Sequence, residues 1–261
     1  MDLVRRRRLI ILEVLVLAIG VGVLAFAAGR NTTLKRVAPF VNFDNQELAI
    51  LQTKYGPAKN SEHGEEWIIR DFFKDERNGV FLDVGANHDQ RSSNTYYLDT
   101  TLGWSGIAVE PQVKFAADYS RYRPKTRFMP FFVSDVSDRE TLLHVPKGND
   151  LVASGSADFA KALAGEVDTL VTKTVTLDDL LDRMGVTKVD FLTMDIELGE
   201  PAALAGFSLE KYRPRLACIE AHLKVRQQVL NYFAQRGYVV VGKYWRADAQ
   251  NFWFTPRSET N

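Results

Sequence analysis

Several acids stand directly after apolar, strand-like runs. Asp83 follows Val80-Phe81-Leu82, and Glu110 follows Gly106-Ile107-Ala108-Val109. Ser134-Asp135 follows the run from Arg127 to Val133, and Asp195 follows Val189 to Met194. In an open α/β sheet, ligands bind in the crevice outside the carboxyl ends of the strands. Acids on neighbouring tips therefore face one site. Gly85 lets the chain turn tightly and approach a ligand closely. Glu110 offers two oxygens, enough for two ribose hydroxyls. Ser134-Asp135 is placed for the amine of a base. Asp83-x-Gly85-x-Asn87 lacks the three spaced glycines of a dinucleotide fingerprint, because the later places hold Asn87 and Gln90. A pyrophosphate would meet side chains there. The chemistry is that of a ribose and a base without a pyrophosphate.

The elements that carry these residues alternate in type. A helix is expected from Asp44 to Lys54, ended by Gly56-Pro57, and another from Glu65 to Phe73 with Trp67, Ile68, Phe72 and Phe73 toward the sheet. The strand at Val80 leads to a helix from Ser92 to Leu102, capped by Ser92 or Ser93. Val113 to Tyr122 is helical, Arg127 to Val133 a third strand, and Thr141 to Val145 a small extra one. Lys147 to Glu166, rich in Gly, Ser and Ala, reads as a mobile loop with one short helix, and loops of that length are often functional. Strands at Leu170–Leu177, Val189–Met194 and Arg215–Ile219 alternate with helices at Asp178–Met184, Pro201–Phe207 and Val225–Arg236. Tyr238 to Lys243 and Asn251 to Thr255 form a closing antiparallel pair. This pattern predicts an α/β, doubly wound, mostly parallel sheet with an antiparallel last strand.

Of 261 residues, 25% are charged and the net charge is zero, so no global field points to nucleic acid as a partner. The single cysteine, Cys218, lies in an apolar run and reads as a buried, inert thiol. Arg5-Arg6-Arg7-Arg8 precedes the apolar stretch Leu9 to Ala28, about the ~20 residues needed to cross a bilayer. An uncleaved single-pass anchor fits this length better than a cleaved signal, which would use the small residues around Ala25-Phe26-Ala27. The expected organisation is a basic segment and transmembrane helix over 1–30, a juxtamembrane linker over 31–60, and the α/β domain over 61–261. Arg30, Lys35 and Arg36 follow the span, so charge bias only weakly favours an outward-facing domain, whereas a cofactor made in the cytosol argues the other way. The side of the membrane stays open.

Together, Phe81-Leu-Asp-Val-Gly-Ala-Asn87, Ser93-Asn-Thr-Tyr-Tyr97, Gly103-Trp-Ser-Gly-Ile-Ala-Val-Glu-Pro111, Val133-Ser-Asp135, Val189-Asp-Phe-Leu-Thr-Met-Asp-Ile-Glu197 and Ile219-Glu-Ala-His222 resemble the FkbM family of S-adenosylmethionine-dependent methyltransferases. The resemblance covers about residues 78 to 255, in the family's order. It implies a Rossmann-like class I methyltransferase fold with a seven-stranded sheet. It also implies that Asp83, Gly85 and Asn87 flank the methionine part of S-adenosyl-L-methionine, that Glu110 holds the ribose, and that Asp135, with Ser134, lies beside the adenine. Asn94, in the second motif, joins the cofactor-binding set. Two places depart from the family pattern. His88-Asp89-Gln90 replaces a glycine after Asn87, and Leu198 replaces the glycine after Glu197, with Gly199 and Glu200 beyond.

Asp195, Glu197, Glu220 and His222 are the candidates for the reacting end. Methyl transfer is an in-line displacement governed by positioning. A hydroxyl acceptor also needs a base, and Asp195 or His222 is the expected one. The same four side chains are a possible cation site, though no tight motif spacing supports a metal. His88 and His144 read as surface histidines, and His63 as a linker residue. The expected acceptor is a sugar, glycolipid, lipid-linked or small-molecule hydroxyl, a class that comes from the resemblance alone. The alternatives are a catalytically silent binding module at the membrane and a nicotinamide-linked oxidoreductase, which the missing glycines disfavour.

Overall fold

A computed structural model describes residues 46–258. The expected anchor and the first part of the linker lie outside the described residues, among which no helix is long and apolar enough to cross a membrane. The chain runs α1 (Gln46–Tyr55), α2 (Glu65–Phe73), β1 (Val80–Val84), α3 (Tyr96–Thr100), β2 (Ser105–Val109), α4 (Ala116–Tyr122), β3 (Thr126–Met129), β4 (Phe132–Val133) and β5 (Glu140–Pro146). It continues α5 (Ala157–Ala164), β6 (Val167–Val175), α6 (Leu177–Arg183), β7 (Phe191–Met194), α7 (Glu200–Ala205), α8 (Leu209–Tyr212), β8 (Leu216–Glu220), α9 (Arg226–Gln235), β9 (Tyr238–Val240) and β10 (Asn251–Pro256).

Seven strands form the main sheet in the order β3-β2-β1-β7-β8-β10-β9. The first five are parallel, while β10 runs antiparallel to both neighbours. Successive strand residues point to opposite faces, and both faces are covered. Phe81, Phe191, Leu216 and Cys218 pack with Trp67, Trp104 and Trp253 on one side. Leu82, Leu192, Ala217 and Ile219 pack with Leu204, Val229 and Phe233 on the other. Each fully buried large apolar side chain contributes ~1.5–3 kcal/mol. Cys218 is buried and free, as its setting predicts.

Four local expectations are corrected. The helix expected from Ser92 spans only Tyr96–Thr100 and follows Thr95, with no side-chain cap. Ser93 and Thr95 are instead committed to bonds described below. The third strand stops at Met129, since Pro130 brings no N–H to a ladder, and Phe132–Val133 pairs with β6 in a separate three-stranded sheet of order β4-β6-β5. Residues 147–166 hold the expected short helix, α5, but also a 3₁₀ turn at Asp150–Val152, and side-chain bonds described below tie them to the crevice. Finally, α1 falls inside the stretch read as linker, yet it packs on α2. Leu51 is buried there, and Lys54 Nζ donates to Asp71 at 3.0 Å.

Candidate active site

The crevice begins where β1 turns. Gly85 has φ 80°, and a Cβ there would stand 1.9 Å from the Asp195 carbonyl oxygen, so only glycine lets the β1 and β7 tips meet. The Gly85 and Ala86 N–H groups donate to the Val109 carbonyl, which brings Asn87 over β2. The Asn87 N–H donates to Glu110 Oε2 at 3.3 Å, and the Gln112 N–H donates to Glu110 Oε1 at 2.9 Å. Each Glu110 oxygen keeps a lone pair for another donor. Burial pushes this carboxyl up to about 7. Asn87 donates through Nδ2 to the Asp150 carbonyl at 2.9 Å, while its Oδ1 is buried without a hydrogen-bond partner. Unmet buried acceptors cost about 1–3 kcal/mol, so this one calls for a ligand donor.

Asn87 and Glu110 line a narrow cavity with Gly85 and Asp195, walled by Phe131, Phe132, Val133, Leu143 and Ile196. The pairing of apolar walls with Glu110 suits a flat base next to a ribose. The diversion at Pro130 puts Phe131 to Val133 on this wall. Ser134 and Asp135 line neither cavity described here. They bond each other at 3.1 Å, and Asp135 is exposed. The structure therefore places this predicted pair outside both spaces.

A second, roomier space opens on the far side of Gly85, sharing Asn87, Leu151 and Asp195 with the first. Asp83 and Asn94 lie on its wall. Asp83 Oδ2 accepts from Thr95 Oγ1 at 2.6 Å, and burial raises its carboxyl. Asn94 Nδ2 donates to Thr193 Oγ1 at 3.1 Å, leaving Oδ1 buried without a hydrogen-bond partner. His63 also lines this wall, beside Glu62 and Glu65, and so is more than a linker residue.

Asp195, Glu197, Glu220 and His222 do converge. His222 Nε2 lies 2.8 Å from Glu197 Oε2 and 3.3 Å from Glu220 Oε2. Hydrogen bonds to these two acids push the imidazole up to about 10, so it is charged at neutral pH. Asp195 opens onto both cavities and is solvent-accessible there, yet its carboxyl is held well above the usual range by desolvation and by Glu220 and Glu197. Burial raises Glu220, but His222 and Asp195 outweigh it and the net shift is downward. Ligand atoms of Glu197, Glu220 and His222 all lie within 4.8 Å of one another, a set able to ligate a divalent cation once the imidazolium proton leaves.

Two features lie outside the predicted site residues: one has no signal in the sequence, and the other reads there only as a long loop of the kind that is often functional. Arg123, just before Pro124, is fully buried. It donates to Thr95 Oγ1 at 2.9 Å, Ser93 Oγ at 3.3 Å, Asp99 Oδ2 at 3.2 Å and the Asp89 carbonyl at 3.1 Å. It fixes the loop behind Asp83. The second is the 147–166 segment, which covers the crevice. Ser154 Oγ donates to the Glu197 carbonyl at 2.6 Å, and the Phe159 ring stands edge-on to His222 at 5.2 Å. Asp150 ties the segment down through Lys114 at 2.7 Å and Arg91 at 3.3 Å, with His88 at 3.5 Å. His88 thus belongs to this clasp. His144 is half-buried, near Thr169 Oγ1.

The sheet order and its antiparallel last strand define an α/β protein of the class I methyltransferase type. Residues 83–240 match the family model of the methyltransferase FkbM domain, and the chain belongs to that family. Among solved structures it is similar to a TehB-like SAM-dependent methyltransferase from Corynebacterium glutamicum, at 14% identity and TM-score 0.41, covering 82% of this chain and 99% of that one. It is also similar to a putative RNA methyltransferase from Pyrococcus horikoshii, at 15% identity and TM-score 0.38, covering 84% and 98%. A search of curated protein sequences finds no match.

Proposed function

We propose that this chain is an O-methyltransferase that acts on a hydroxyl of a sugar, glycolipid or other small molecule and uses S-adenosylmethionine. One observation supports the reading: Asp195 borders both the narrow cavity and the larger polar one, so a cofactor in the first and an acceptor in the second would meet at it. The buried Oδ1 atoms of Asn87 and Asn94 and the paired oxygens of Glu110 fit the hydroxyl and amino donors of S-adenosylmethionine. That cofactor, when bound, supplies an activated methyl on a positively charged sulfur. The larger cavity is lined by Glu62, Glu65, Asp83, Glu197 and Glu220, with no Lys or Arg among its described lining residues. This lining suits a neutral polyol and opposes an anionic acceptor.

Asp195, in its ionised form, takes the hydroxyl proton as the acceptor oxygen attacks. His222 is less suited to that task, since its Nε2 proton is held between two carboxylates. It positions Glu197 and Glu220. Labelled-methyl transfer into glycan and lipid extracts tests the reading. Product carrying an O-methyl group, lost in Asp195→Asn with cofactor binding retained, supports it. Methylation at nitrogen or carbon would overturn the acceptor class, and absence of cofactor binding would favour a silent binding module.

A further inference from the structure

The rim beside the larger cavity has a composition unlike its interior. Leu223 and Trp245 are 65% and 56% exposed, an unusual state for residues of this size beside a site. They lie on one surface. Trp245 stands edge-on to Phe252 at 5.4 Å, the Arg226 guanidinium lies 5.3 Å over the same ring, and Arg226 Nε donates to the Ala221 carbonyl beside Leu223. Gln250 and Asn251, next along the chain, line the cavity, so this edge is its lip. Lys224 and Arg246 follow the two apolar residues directly and are exposed.

Helix α1 extends the same surface. Glu47 pairs with Arg246 at 3.8 Å, while Lys54 and Lys243 both bond Asp71. Glu47, Ile50 and Lys54 share one helix face by their spacing, and Ile50 is 65% exposed. The chain enters α1 from the stretch that holds four consecutive arginines and a bilayer-length apolar run. An exposed Trp flanked by basic residues is the composition of a membrane interface, where the ring sits at headgroup level and each Lys or Arg is drawn to anionic lipid.

We infer that the rim formed by Leu223, Lys224, Trp245 and Arg246 is a docking surface for an anionic bilayer. It turns the mouth of the acceptor cavity toward the lipid headgroups. Cavity and rim then divide the work: bases outside meet lipid phosphates, and carboxylates inside receive an uncharged hydroxyl. The inference concerns how the domain lies on the membrane and is read without turnover, so it stands or falls separately from the methyl-transfer reading.

Tryptophan fluorescence of the full-length protein in vesicles tests it, because Trp67, Trp104 and Trp253 are buried and only Trp245 is exposed among the described residues. Phosphatidylglycerol vesicles with brominated acyl chains should quench the emission, and Trp245→Phe should remove the quenched component. Lys224→Gln and Arg246→Gln should each lower the docked-to-undocked ratio about fivefold. Zwitterionic brominated vesicles should quench much less. Equal emission in brominated and plain anionic vesicles would overturn the inference. So would quenching that persists in Trp245→Phe, or quenching that is indifferent to lipid charge.

Discussion

The His222 imidazole bridges to Glu197 across 2.8 Å and so joins the tip of β8 to the turn after β7. Its charge is set by that contact and by Glu220. The ring is raised from the ordinary imidazole range to about 10 in the folded protein. Its stabilising contribution is therefore complete below the unfolded value and is lost as pH rises through about 10. Thermal midpoints of the wild type should fall across that alkaline window, and the fall should be shallower in His222→Gln. Parallel curves for the two proteins would show that the bridge is not formed in solution.

Glu110 sets a second pH dependence. Burial lifts its carboxyl to about 7, and the ionised form is the better acceptor for ribose hydroxyls. Affinity for S-adenosylmethionine should rise as pH passes from about one unit below that value to about one above. Glu110→Gln should lose roughly 10- to 150-fold in affinity, the weight of a hydrogen bond to a charged group, and should show no such rise. Calorimetry at several pH values reads both.

Arg123 is the structural counterweight behind the site. With no exposed surface, it neutralises Asp99 and orients Thr95 toward Asp83. Removing one partner of a buried ion pair costs about 3–5 kcal/mol. Arg123→Met should lower the urea unfolding free energy by that amount. Adding Asp99→Asn should restore part of it, because the orphaned charge is then gone.

Leu198 holds a conformation suited to glycine. Its φ is 79° and follows Glu197 at 52°. An L-residue there stores about 1–2 kcal/mol of strain. Leu198→Gly should raise stability, by at most about 1 kcal/mol once the added freedom of the unfolded chain is counted. Leu198→Val should lower it. Denaturant midpoints would distinguish these outcomes.

These positions show what could be read before folding. The apolar runs ending at Leu82, Val109, Met194 and Ile219 determine the parallel strands, because buried strands need continuous apolar residues. An acid placed directly after such a run must sit at a strand tip, so the carboxylates at Asp83, Glu110 and Asp195 were legible from order alone. Pro130 is a visible strand breaker, and the strand expected to run on to Val133 and Ser134-Asp135 stops at Met129. Tertiary structure alone decided the rest. Arg123 reaches Thr95 from 28 positions away, and Ser154 reaches Glu197 across 43. Such contacts leave no local periodicity, because they depend on how loops cross once the sheet has formed. The same holds for the site's charge state: residue types name the acids and the histidine, but their protons are settled by burial and by distances of about three ångströms, which exist only in the folded chain.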